Sequence, residues 1–167
     1  MDLLDFLKAR QEGMVADLRE FVRRESPSTD KHLLDQFAEF LAGYAEGFGG
    51  CAEIIPMQDT GNHVRVRWGD GEAEPILLLG HFDTVWPVGT LQRMPFQATG
   101  NLARGPGVFD MKAGLVQGFW AVRALHQVSN VRRPIVFLCN ADEEIGSPSS
   151  SPLIEAEAGK ARVVWFA

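Results

Sequence analysis

The chain has 167 residues, 46% of them hydrophobic and 23% charged, with a formal net charge of −6. That length and apolar content can build one sizeable core, whereas the acidic balance and the scattered Lys and Arg argue against a nucleic-acid binder, whose affinity rests on clustered cations. Cys51 and Cys139 lack CxxC spacing, the acidic start MDLLDFLKAR lacks a signal peptide's basic region, and no apolar run reaches membrane-span length, so the expectation is a protein of the reducing cytoplasm without a membrane partner.

Leu3, Leu4, Phe6, Leu7, Met14, Val15, Leu18, Phe21 and Val22 recur at helical spacing, which predicts a helix over residues 2–24, stopped by SPS at 26–28. Asp30 should cap a second helix carrying Leu33, Leu34, Phe37, Phe40 and Leu41, which GFGG at 47–50 breaks. AEIIPM (52–57) predicts a short strand, and HVRVRW (63–68) an alternating one with Val64, Val66 and Trp68 on one face. After the GDGEAEP turn comes a third strand, PILLLGHFD (75–83), whose continuous LLL asks for cover on both sides. Residues 84–109 show no periodicity and many Gly and Pro, and connections of that length are more often functional than passive. A helix follows from Asp110 to about Gln127, then a strand over PIVFLCN (134–140), a short helix over 152–158 and a last strand, ARVVWFA (161–167). Helices alternating with continuous apolar strands predict an α/β fold, with a mixed, largely parallel central sheet flanked by helices. The last strand stays apolar to its final residue without a closing turn, so the sequence reads as part of a longer domain.

Polar clusters gather where these strands end. In GHFDTV, His81 and Asp83 lie two apart and so on one side of an extended chain. A carboxylate there fixes the imidazole tautomer and makes the far nitrogen a better metal ligand; a structural strand-end histidine is the plain alternative. Asp110 follows Gly105, Pro106 and Gly107 and opens a predicted helix, where capping alone would explain it. The constrained backbone ahead of it favours a second role. FLCNADEEIGS (137–147) runs a buried strand into Asp142, Glu143 and Glu144, whose mutual repulsion a hard or borderline cation would relieve. One glutamate then serves as ligand and the other as general base toward the water that such an ion activates, unless all three are merely solvated.

LLLGHFDTVWPVG, RGPGVFDMKAG and NADEEIGS, in this order and spacing, resemble the motifs of a zinc metallopeptidase family. That family contains glutamate carboxypeptidase, acetylornithine deacetylase, succinyl-diaminopimelate desuccinylase and aminoacylase. The likeness runs from about Leu18 through ESPS to the last residue, and is strongest to glutamate carboxypeptidase. It implies that His81 binds one zinc with Asp83 behind it, that Asp110 bridges two zincs, often through a cis peptide to Met111, and that Glu144 binds the other. Glu143 becomes the general base. Zinc is the implied cofactor, two ions per complete site, with cobalt or manganese as substitutes. The implied reaction is hydrolysis of an amide in a small N-acyl amino acid, or release of a C-terminal residue from a peptide.

Members of the family also carry an acidic ligand just after the strand matching ARVVWFA, a further histidine near the C-terminus, and an inserted lid and dimerisation domain. Residues 1–167 are therefore expected to be the N-terminal part of a truncated catalytic domain, inactive alone, whose longer parent forms a homodimer. His32, His63 and His126 fall outside the motifs. Two other readings stand beside this one. A mononuclear hydrolase complete in this chain would take a further ligand from His63, Asp70 or Asp142. A non-catalytic metal-binding or interaction module would have no use for Glu143, since binding alone needs no free carboxylate beside the ligands.

Overall fold

The computed structural model describes residues 2–129 and 133–166. The first predicted helix is two. Helix α1 (Leu3–Lys8) is capped by Asp2, whose Oδ1 accepts from the Asp5 amide at 2.8 Å, and α2 (Gln11–Val22) begins after Arg10 has left helical geometry. The Arg10 guanidinium folds back over the Phe6 ring at 3.7 Å and donates to the Phe6 carbonyl at 3.1 Å, which bends the chain and buries Phe6. Helix α3 (Lys31–Gly47) starts where the sequence placed it, with Asp30 Oδ1 accepting from the Leu33 amide at 3.1 Å.

The strands are β1 (Cys51–Ile55), β2 (His63–Trp68), β3 (Ile76–His81), β4 (Gln97–Thr99), β5 (Leu102–Arg104), β6 (Ile135–Asn140) and β7 (Val163–Phe166), with Ala167 outside the described residues. Five form one sheet in the order β1-β2-β6-β3-β7. The pairs β3/β6 and β3/β7 are parallel, while β1/β2 and β2/β6 are antiparallel. The sheet is mixed as expected, but parallel only in its β6-β3-β7 half. The reason lies in the connections: α5 (Ala113–Val128) and α6 (Ser151–Ala158) supply the crossovers that parallel neighbours need. The stretch 84–109 holds two elements that the sequence pattern did not reveal, a single turn α4 (Thr90–Arg93) and the β4–β5 hairpin.

Side chains of successive strand residues point to opposite faces, and each face finds a cover. Val64, Val66, Trp68, Ile135, Phe137 and Cys139 pack with Phe21, Phe37 and Phe119 of α2, α3 and α5. Helix α5 lies very close to the sheet: a Cβ added at Gly118 would stand 2.6 Å from a ring carbon of Phe137. On the other face Leu77, Leu79, Val136 and Leu138 pack with Leu153, Ile154 and Ala158 of α6. The winding therefore reverses about β3, since α5 leads to β6 on one side and α6 leads to β7 on the other. In such sheets, sites form beyond the strand C-termini at this reversal. No helix among the described residues is long and apolar enough to cross a membrane.

Candidate metal centre

His81 ends β3 and is 2% exposed. Its Nδ1 lies 3.1 Å from the Asp83 main-chain oxygen and 3.3 Å from Asp83 Oδ1. Its Nε2 faces Asp110 Oδ1 at 3.0 Å and Glu143 Oε2 at 3.7 Å. Asp83 is fully buried and does more than face the imidazole. It accepts hydrogen bonds from Ser28 Oγ (2.8 Å) and from the amides of Glu143 and Glu144 (3.1 Å each). One carboxylate thus orients the histidine and pins the turn that carries both glutamates.

Asp110 arrives on a tightly held loop. Gly107 has φ 69°, in the left-handed region, and a Cβ there would stand 2.8 Å from Thr84 Cγ2, so only glycine fits without strain. The Lys112 amide donates back to the Gly107 carbonyl at 2.9 Å. Asp110 and Met111 both have non-helical backbone angles and Asp110 makes no capping hydrogen bond, so α5 begins at Ala113; the Asp110–Met111 peptide is cis. The capping reading of Asp110 therefore falls. Its carboxylate, 65% exposed, turns to His81 instead.

The three carboxylates of DEE have separate fates. Asp142 is fully buried, and its Oδ2 accepts from Ser149 N (2.7 Å), Ser149 Oγ (2.7 Å) and Ser150 N (3.1 Å), at the entry to α6. Burial works against its charged form, but the donors of Ser150 and Ser149 prevail and hold its pKa below the ordinary value. Glu143 and Glu144 face His81 and Asp110. Ligand atoms of His81, Asp110 and Glu144 all lie within 4.8 Å of one another. One imidazole nitrogen with two carboxylates suits a borderline divalent cation.

Electrostatics point the same way. Burial disfavours a charged His81, but Asp83, then Glu143 and Asp110, outweigh it and raise its pKa to about 9. Glu144 is also raised, first by burial and then by the neighbouring Asp110 charge. A cation among these groups would relieve the crowding of carboxylates, so the residues present fit a metal.

The ligands required by the mononuclear reading are not in this cluster. His63 Nδ1 accepts from the Ala141 amide at 3.1 Å, so its Nε2 carries the proton toward Ser149 Oγ at 2.9 Å, and Ser149 in turn donates to Asp142. Asp70 is exposed beyond the end of β2 that pairs with the start of β6, at the opposite edge of the sheet. His32 and His126 are exposed on α3 and α5. The segment 25–28 was legible in the sequence as a helix stop and as the ESPS stretch of the likeness, but none of its residues received a role there. Glu25 accepts from the amides of Gly89 (2.8 Å) and Leu91 (3.0 Å), and Ser26 Oγ donates to the Phe82 carbonyl at 2.5 Å. These contacts span more than fifty residues of sequence, so no local pattern could announce them.

Comparison with known proteins identifies the family of the chain. Carboxypeptidase G2 from Pseudomonas sp. (strain RS-16) is 40% identical over 156 residues, which is 89% of this chain and 36% of that protein. Acetylornithine deacetylase from Pasteurella multocida is 34% identical over 115 residues, 64% of this chain and 28% of that one. Among solved structures, an M20 family metallo-carboxypeptidase from Sulfolobus solfataricus superposes with TM-score 0.77 at 22% identity, over 92% of this chain and 36% of that one. Human carnosine dipeptidase 1 gives 0.80 at 17% identity, over 99% and 40%. The chain thus spans little more than a third of carboxypeptidase G2, and the structural likeness speaks for the fold. The model of peptidase family M20/M25/M40 matches residues 77–166, the stretch that runs from β3 through all the candidate ligands to β7, and the chain belongs to that family.

Proposed function

We propose that these residues form part of a zinc-dependent hydrolase that cleaves an amide bond, either in a small N-acyl amino acid or at the C-terminal residue of a peptide. The observation that carries this reading is the convergence of His81, Asp110 and Glu144, with Glu143 beside them, in a chain of this family. That relatives include a carboxypeptidase and a deacetylase supports amide hydrolysis. In this reading His81 and Asp110 hold one ion, and Asp110 and Glu144 a second. Such ions supply Lewis-acid activation of water and of the substrate carbonyl.

The chain's own residues do the rest. Asp83 holds the His81 ring with Nε2 toward Asp110, where it would be a ligand. Glu143, half exposed, accepts no side-chain hydrogen bond from the described residues, which leaves it free to take the proton of the attacking water and pass it to the departing amine. Residues 1–167 would be the N-terminal part of the catalytic domain of a longer, dimeric, cytoplasmic enzyme. The test is a pair of substitutions in the active full-length protein. Glu143→Gln should keep its metal and lose turnover by about 10²–10⁴-fold, the usual weight of a general base. Glu144→Gln should lose metal as well. Reversed behaviour would overturn the assignment of the two glutamates.

A further inference from the structure

Lys112 is 1% exposed, a burial that lysine rarely accepts without a carboxylate partner. Its partners here are main-chain carbonyls. Nζ donates to Arg24 O at 2.7 Å and Phe21 O at 3.2 Å, at the exit of α2, and sits 4.6 Å from the centre of the Phe37 ring. Acceptors at a helix C-terminus have lost their intrahelical donors, and here Lys112 supplies one to the Arg24 carbonyl and a second to Phe21 O, which also takes the Arg24 amide at 3.3 Å.

The consequence reaches Asp110, two residues away. Among the described residues the Asp110 carboxylate has one hydrogen-bond partner, His81 Nε2, and it is mostly exposed. Its own contacts cannot hold it, so its backbone must. Phe109 before it is 98% exposed and packs on nothing that would fix the loop. Behind it, Met111 Sδ accepts from the His81 amide at 3.2 Å, and Lys112 is tethered to α2. The same exit of α2 leads into residues 25–28, which hold the rest of the centre. Ser26 grips Phe82, Ser28 grips Asp83, and Glu25 grips the loop at Gly89 and Leu91. His81 with Asp83 and the loop of Asp110 are therefore referred to one frame, and Lys112 ties that loop to it by hydrogen bonds, beside the apolar burial of Val108 with Val22.

We infer that Lys112 is a positioning residue for Asp110: by anchoring the loop 105–112 on the α2 exit, it sets the carboxylate where it meets His81 and Glu144. The inference rests on the metal reading above. The test uses the full-length protein with Lys112→Met, which keeps the volume and removes the donor, and Lys112→Gln, which keeps a shorter donor. Leu41→Ala, a core truncation on α3 away from the centre, controls for lost stability. Zinc affinity by chelator competition and the visible spectrum of the cobalt-loaded protein read the centre directly. Lys112→Met should bind zinc about 10- to 100-fold more weakly, the scale for losing a residue that orients a ligand, and should shift the cobalt spectrum. Lys112→Gln should fall between it and the wild type, and Leu41→Ala should do neither. An unchanged affinity, or a fall matched by Leu41→Ala, overturns the inference. Failure of both Lys112 variants to fold would make it a folding determinant and overturns it too. A wild-type protein that takes up no zinc refutes the metal reading itself.

Discussion

Asp83 sees no solvent, yet a ligand and two glutamates depend on it. Replacing it with Asn removes one acceptor oxygen, so the amide of Glu143 or Glu144 must face an NH₂ group in place of a carboxylate. Asp83→Asn should weaken zinc binding by about 10- to 100-fold, as loss of a group behind a ligand usually does. Competition against a chelator checks it, and an unchanged affinity would return Asp83 to a purely structural role. His81 gives a pH prediction. Its folded pKa, about 9, lies above the ordinary 6.5. In protein stripped with a chelator, the stability it contributes is complete below 6.5 and is lost as pH rises through about 9. Thermal unfolding across that range should show the loss in the stripped wild type and not in His81→Gln. Metal must displace the same proton, so zinc affinity should rise with pH over the same window. At this scale the sequence made candidates legible: His81, Glu143 and Glu144 follow apolar runs, and Asp110 follows a Gly-Pro-Gly loop. Their supports, Ser28 and Lys112, lie inside the stretches ESPS and RGPGVFDMKAG, but their roles depend on partners distant in the chain, so no local pattern assigns them.

Among the elements, local chemistry set some boundaries and distant contacts set others. The cap at Asp30 and the limits of β2, β3 and β6 were legible because capping chemistry and apolar runs are local. The break between α1 and α2 was not, since it depends on Arg10 turning back over Phe6 rather than on a helix breaker. Nor was the β4–β5 hairpin, whose strands are exposed and so carry no apolar signature. The loop before Asp110 is the element where a small change should cost most. Gly107→Ala places a side chain in the left-handed region, costing about 1–2 kcal/mol. Its Cβ would also meet Thr84 Cγ2 at 2.8 Å, so the loss should exceed that figure. Urea unfolding measures the stability, and zinc titration should show Asp110 displaced; a neutral substitution would mean that the loop has slack. At the entry to α6, Asp142→Ala would strip the amides of Ser149 and Ser150 of their acceptor. A loss of about 1–3 kcal/mol is expected from leaving such buried donors unsatisfied.

For the molecule as a whole, β7 is the exposed feature. Val163, Val164, Trp165 and Phe166 are all between 43% and 66% exposed, and among the described residues β7 pairs with β3 alone. Apolar side chains on a strand with one free edge invite pairing with another chain. A protein of residues 1–167 alone should therefore self-associate, and Trp165→Lys should reduce it; sedimentation velocity distinguishes the two. In the proposed reading each ion has two ligands from these residues, His81 with Asp110 and Asp110 with Glu144, where catalytic zinc sites commonly have about three. Residues 1–167 with excess zinc should accordingly release no amine from N-acyl amino acids. Turnover that disappears in Glu143→Gln would show that these residues suffice.

The candidate residues and the strands buried on both faces were legible without a fold, because residue chemistry and apolar periodicity are properties of neighbours in the chain. Tertiary structure alone decided among the readings of those candidates. It set aside the capping alternative for Asp110 and placed its carboxylate against His81, divided Asp142 from Glu143 and Glu144, and tied up His63 with Ser149 and Ala141. Each of those outcomes depends on which hydrogen-bond donors meet a carboxylate or imidazole across tens of residues, and donors of the same kind occur all along the chain. Only the reversal of winding about β3 brings His81, Asp110 and Glu144 to one end of the sheet.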